Sequence, residues 1–107
     1  MKKFAGKVPY YAVVFTSIPS GRDEEGYRAM DRLMCDLASK QPGFMGMESY
    51  KGDDDRRVTI SYWASLEDIK NWKDNPEHKE AQSLGKEKWY VDYTIRICRV
   101  EKEYSLI

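Results

Sequence analysis

Pro42-Gly43-Phe44-Met45-Gly46-Met47-Glu48 is the stretch on which the fold turns. Proline and glycine close whatever helix precedes them, and the apolar residues that follow open a strand. Upstream, Tyr27, Met30, Leu33, Met34, Leu37 and Ala38 recur at helical spacing, which predicts a helix from about Glu24 to Lys40. Asp23-Glu24-Glu25 places negative charge where a helix start favours it. Downstream, a strand over Phe44 to Lys51 meets the polar turn Gly52-Asp53-Asp54-Asp55, and a second strand returns over Arg57 to Trp63. These two form a hairpin.

The outer elements follow. Tyr10 to Ser17 is β-branched and aromatic, hence a strand. Its two alternating faces are both apolar, Tyr11, Val13 and Phe15 on one, Tyr10, Ala12 and Val14 on the other. Ser65-Leu66-Glu67-Asp68 resembles a capping box, and Leu66, Ile69 and Trp72 share the face of the helix it starts. Asn75-Pro76 reads as an N-cap followed by proline in the first turn, with His78, Ala81, Gln82, Gly85 and Trp89 along one stripe beyond it. A last strand spans about Tyr90 to Tyr104. Its apolar phase is odd at Val91, Tyr93, Ile95 and Ile97, then even at Val100, which suggests a bulge near Cys98.

The order β-α-β-β-α-β predicts an α+β, ferredoxin-like domain over residues 1–107, with helices on one face of a four-stranded antiparallel sheet. A first strand apolar on both sides is normally covered on both sides. A homodimer, stacked sheet to sheet as a dimeric α/β barrel, would cover the second face, with the tail Tyr104-Ser105-Leu106-Ile107 reaching onto the partner.

Composition narrows the classes of function. Of 107 residues 41% are hydrophobic, enough for a core, and 18 basic residues balance 18 acidic ones. A chain without a basic excess is not expected to bind nucleic acid. No apolar run approaches the ~20 residues of a membrane span. The charged opening Met1 to Lys7 has no apolar segment after it, so a cytoplasmic protein is expected. Cys35 and Cys98 lack metal-ligand spacing, and neither a phosphate loop nor a nucleophilic triad is present.

With these residues in view the chain resembles the antibiotic biosynthesis monooxygenase superfamily, in particular its short stand-alone bacterial members. The matching features are Pro42-Gly43-Phe44 leading into Glu48, the strand end Ser61-Tyr62-Trp63, Trp72 on the next helix, Asn75-Pro76-Glu77-His78, and Trp89-Tyr90 through Arg96. The resemblance covers roughly residues 8 to 104 and implies a dimeric α/β barrel. It implies an activity drawn from cofactor-free oxygenases of aromatics, quinol oxidisers and haem-degrading enzymes. The last combine an asparagine on strand one, a tryptophan after strand three and an iron-ligating histidine ten residues beyond. Here Trp72 matches, Gln82 stands at the histidine position, and Tyr10 to Ser17 has no asparagine, which leaves haem degradation a minor alternative.

The expected function is therefore a cofactor-independent monooxygenase acting on a small aromatic or quinol-type molecule, with no bound metal or flavin. A non-catalytic, stress-associated or ligand-sequestering protein is the competing class, and a hollow filled by its own side chains the third. His78 is the one side chain titrating near neutrality, and the third residue of its helix, so it is the candidate base. Tyr62 and Tyr93 are candidate phenolic donors. Trp72 and Trp63 would wall the hollow, with Ile69, Phe44, Gln82 and Leu84 around them, unless they are simply core. Arg96, charged within an apolar strand, either pairs with Glu48 or attracts an anionic substrate. Gly85 leaves room for a ligand or for close packing.

Overall fold

Strand β1 (Tyr10–Pro19) lies inside a four-stranded antiparallel sheet of order β2-β3-β1-β4, between β3 (Arg57–Trp63) and β4 (Tyr90–Val100), with β2 (Phe44–Lys51) beyond β3. The computed structural model describes Phe4 and residues 7–106. Residues 1–3, 5, 6 and 107 fall outside the described residues, and with them much of the charged opening stretch and the tail's Ile107. Helix α1 (Glu24–Ser39) follows β1, and α2 (Leu66–Lys73) and α3 (Pro76–Leu84) follow β3, with a π-helical turn (Gly85–Trp89) before β4. The architecture is the ferredoxin-like α+β arrangement.

Each helix starts where its cap residues dictate. Asp23 accepts the Gly26 N–H at 3.2 Å, Ser65 the Asp68 N–H at 3.1 Å, and Asn75 the N–H groups of Glu77 and His78 at 3.0 and 3.2 Å. Gly43 has φ +81°, and a Cβ there would fall 2.0 Å from an Asp68 carboxylate oxygen, so the turn from α1 into β2 needs glycine for shape and for space.

The pleat sorts the side chains. Register pairs Val13 with Ser61 and Ile97, and Phe15 with Thr59 and Ile95, so these residues, with Ser17, Trp63 and Tyr93, share the face beneath the helices. Tyr10, Ala12, Val14 and Thr16 share the opposite face with Val58, Ile60, Tyr62, Arg96 and Cys98. Ala38, Trp63, Ile69 and Trp72 form the buried core, with Phe44, Met34, Leu37 and Met47 packed against it. Trp63 is fully buried, and truncating such a ring costs about 3–5 kcal/mol.

Three sequence expectations change. Strand β4 ends at Val100, and its irregularity is not near Cys98: Ile18 pairs with Asp92 and Pro19 with Tyr90, so the extra residue is Val91. Val91 is thereby turned out, 70% exposed, and Tyr90 takes the inward position. Val100 opposes Tyr10 in ordinary register on the face away from the helices, which accounts for the even phase without a bulge. Leu33 and Leu66, assigned to inward stripes, stand exposed. Finally, part of the second face of β1 is covered from within the chain. The Phe4 ring lies 5.3 Å from Tyr10 and 5.5 Å from Tyr62, while Glu103 accepts the Phe4 N–H at 2.8 Å and the Tyr10 hydroxyl.

Candidate functional site

Between the helices and the sheet lies a cavity of about 430 Å³, within the range of small-molecule sites. Its floor is Val13, Phe15 and Ser17 of β1, Thr59 and Ser61 of β3, and Tyr93, Ile95 and Ile97 of β4. Helix α1 supplies Tyr27, Met30, Asp31, Met34 and Cys35, while Ile69, Trp72, His78, Ala81 and Gln82 come from α2 and α3. The side chains of the described residues leave this space unfilled.

At one end His78 lies flat on Trp72, ring centroids 4.2 Å apart and planes within 14°. Trp72 in turn stacks on buried Trp63 at 6.4 Å, and Trp63 donates its indole N–H to Ser61 at 2.9 Å. The Asn75 cap sets the start of α3 and so the height of His78. His78 Nδ1 is 2.9 Å from the Trp72 carbonyl oxygen. A carbonyl only accepts, so Nδ1 carries the proton and Nε2 is the lone-pair nitrogen. Burial lowers the imidazole pKa from its ordinary 6.5, against the smaller upward pull of the Trp72 hydrogen bond. At neutral pH the ring is a neutral base.

The other end is a second aromatic cluster. Phe15 stacks on Tyr93 at 5.4 Å, Tyr90 meets Tyr93 edge-on at 5.7 Å and Tyr27 at 5.8 Å, and Tyr27 lies 6.2 Å from Trp89. Burial pushes the Tyr90 hydroxyl well above its ordinary range, with Tyr27 adding to the shift, so it stays protonated and able to donate. Asp31 stands at the rim on α1. Burial raises its carboxyl, while Arg57 and Arg32 pull it back.

The structure brings together His78, Trp72, Ile69, Gln82 and Tyr93 on one cavity. Trp63 and Phe44 sit in the core below it, their rings edge-on at 5.5 Å, and are not part of the lining. Leu84, at the end of α3, does not line it either. Tyr62 and Arg96 are on the far side of the sheet. Tyr62 donates to Glu48 at 2.6 Å, and burial together with Glu48 raises its pKa. Arg96 is exposed, in the same row as Glu48 but separated from it by Ile60 and Val14, so it does not reach that residue within the chain. Gly85 is buried, and a Cβ would lie 2.8 Å from the Tyr90 ring, which identifies its role as packing that seats Tyr90. Tyr27, Asp31, Trp89 and Tyr90 were not anticipated, although Tyr27 and Asp31 are four apart on α1 and so share a face. Among the described residues no three His, Cys, Asp or Glu side chains gather as a metal site. No helix there is long and apolar enough to cross a membrane.

Comparison with known proteins agrees with this fold. The antibiotic biosynthesis monooxygenase family profile matches residues 9–84. An uncharacterised protein of Bacillus subtilis, YqjZ, is 41% identical over 95 residues, 89% of this chain and 82% of its own length. Among solved structures, Rv0793 of Mycobacterium tuberculosis superposes with a TM-score of 0.78 at 15% identity, covering 90% of this chain and 99% of that one. SnoaB of Streptomyces nogalater, a cofactor-independent oxygenase, gives a TM-score of 0.71 at 14% identity, over 92% of this chain and 98% of its own. At such identities the last two speak for the fold.

Proposed function

This chain belongs to the antibiotic biosynthesis monooxygenase family, and we propose that it is a cofactor-independent monooxygenase of a small, flat, electron-rich aromatic or quinol-type molecule. The observation that carries the reading is the neutral His78 imidazole, fixed through Nδ1 by the Trp72 carbonyl and laid on the Trp72 ring at the wall of an apolar cavity. The aromatic substrate ring would fill the space over Val13 and Phe15. His78 Nε2 takes a proton from its acidic hydroxyl or carbon. The anion gives an electron to dioxygen, and the two radicals join. One oxygen atom stays on the substrate, the other leaves as water, and the electrons are the substrate's own. Gln82, Tyr93 and Tyr90 supply donors for the negative oxygen as it develops. The surrounding methionine, isoleucine and valine side chains lower the local dielectric, which strengthens those contacts.

A homodimer is part of the same proposal. Among the described residues strand β4 pairs only with β1, leaving its other edge open, and Ile95 and Ile97 are 44% and 53% exposed. Tyr104 and Leu106 of the tail are exposed as well. A second copy would cover these groups and close the open side of the cavity. The test of the catalytic reading is His78→Ala with naphthohydroquinone as probe: turnover should fall by about 10²-fold. Unchanged turnover would remove His78 from the reaction.

A further inference from the structure

We propose that the Tyr27–Trp89 end of the cavity is a subsite for a carboxylate, so that the molecule bound is an aromatic acid; this rests on the reading above that the cavity holds an aromatic ring. Two buried donors in this region, Arg57 Nε and Trp89 Nε1, have no hydrogen-bond partner among the described residues. Native interiors satisfy nearly all such groups, so a pair of them is a place where an acceptor is missing. They flank one side chain. The Arg57 guanidinium carbon is 5.3 Å from the centre of the Tyr27 ring, and the Trp89 ring is 6.2 Å from it.

Tyr27 and Trp89 also wall a second hollow, of about 550 Å³, formed by the loop after β1, the start of α1 and Arg57. Its two sides are tied together, since Ser20 donates its N–H to the Trp89 carbonyl at 2.8 Å and its hydroxyl to the Lys88 carbonyl at 2.6 Å. Four basic side chains line it, Arg22, Arg28, Lys51 and Arg57, against Glu24 and Asp55. Both acids are engaged: Glu24 pairs with Arg28 at 3.0 Å and Asp55 with Lys51 at 3.3 Å. Arg57 takes part in neither pair. Asp31 feels its charge from the cavity rim without completing its hydrogen bonds. A carboxylate offers one oxygen to the guanidinium edge and another to the indole N–H, and supplies the hydrogen-bond acceptor that Asp31 does not give Arg57 Nε. The aromatic body then extends past Tyr27 into the apolar cavity toward Trp72.

Calorimetric titration of the full chain with naphthoate and with neutral naphthylmethanol tests this. Naphthoate should bind about tenfold more tightly or better. Arg57→Gln should bring the two ligands within about twofold, and Trp89→Phe, which keeps the ring and loses the N–H, should cost naphthoate several-fold while sparing naphthylmethanol. Naphthylmethanol binding by each variant reports that its cavity is intact. Equal affinity for both ligands in the unaltered protein would overturn the subsite alone, as would a preference for naphthoate that survives both substitutions. Binding of neither ligand would overturn the cavity reading along with it.

Discussion

His78 and Tyr62 were both expected in the site, and one peptide plane decides between them and the rest. Tyr62 precedes Trp63 on β3, and neighbours on a strand face opposite sides. Because Trp63 faces the helices, Tyr62 cannot, and that much could be read from parity alone. Tyr62→Phe should therefore leave oxygen uptake within about twofold while destabilising the fold by about 1 kcal/mol through loss of the Glu48 hydrogen bond; chemical denaturation beside an activity assay checks both. His78 carries the opposite expectation. Its folded pKa lies below the ordinary 6.5, so the unfolded chain binds a proton first as pH falls. The contribution of the neutral ring to stability is complete above 6.5 and is lost as pH drops through that value toward the lowered folded pKa. Melting temperatures of the native protein and of His78→Gln should diverge in pH dependence across that window, and turnover should hold its plateau to lower pH than a free imidazole would allow. The stacking of His78 on Trp72 was not legible, since it depends on how α3 folds back on α2. What sequence did convey was the cap, Asn75, and hence the position of His78 in the first turn.

Helices and strands were largely written in the local chemistry. Asp23, Ser65 and Asn75 mark the three helix starts, and Gly43 the turn into β2. The end of the second helical segment was harder to see. A π-helical turn adds backbone before β4, and the extra residue Val91 then shifts the strand's parity, so that Tyr90 rather than Val91 points inward. Tyr90 and Val91 are both apolar, so alternation does not show which of the two is the inserted residue, and the Tyr90 cluster was missed for that reason. Gly85 belongs to this element. Gly85→Ala would press a methyl group onto the Tyr90 ring, costing about 1–3 kcal/mol and tilting the ring into the cavity. A lower melting temperature with weaker ligand binding is the expected pair of effects. Asn75→Ala should cost about 1 kcal/mol by uncapping α3 and should weaken turnover through His78 without changing which ligands bind.

At the scale of the whole molecule, β1 was expected to require a second subunit for its outer face. The chain itself meets part of that need, by folding Phe4 and Glu103 over Tyr10. The remainder, Val14, Val58 and Ile60 on that face and the open edge of β4, is what the proposed homodimer would cover. Sedimentation at micromolar concentration should give a dimer, and a monomer would remove that proposal while leaving the cavity in place. The cavity with its neutral base is the centre of the account, and oxygenation is its chemical content. The most direct measurement is mass spectrometry of the product formed from naphthohydroquinone under isotopically labelled dioxygen, by chelator-treated protein. The expected product is hydroxynaphthoquinone bearing one labelled oxygen atom, formed faster than in buffer and lost in His78→Ala. Only unlabelled naphthoquinone, at the spontaneous rate and equally with the variant, would contradict it.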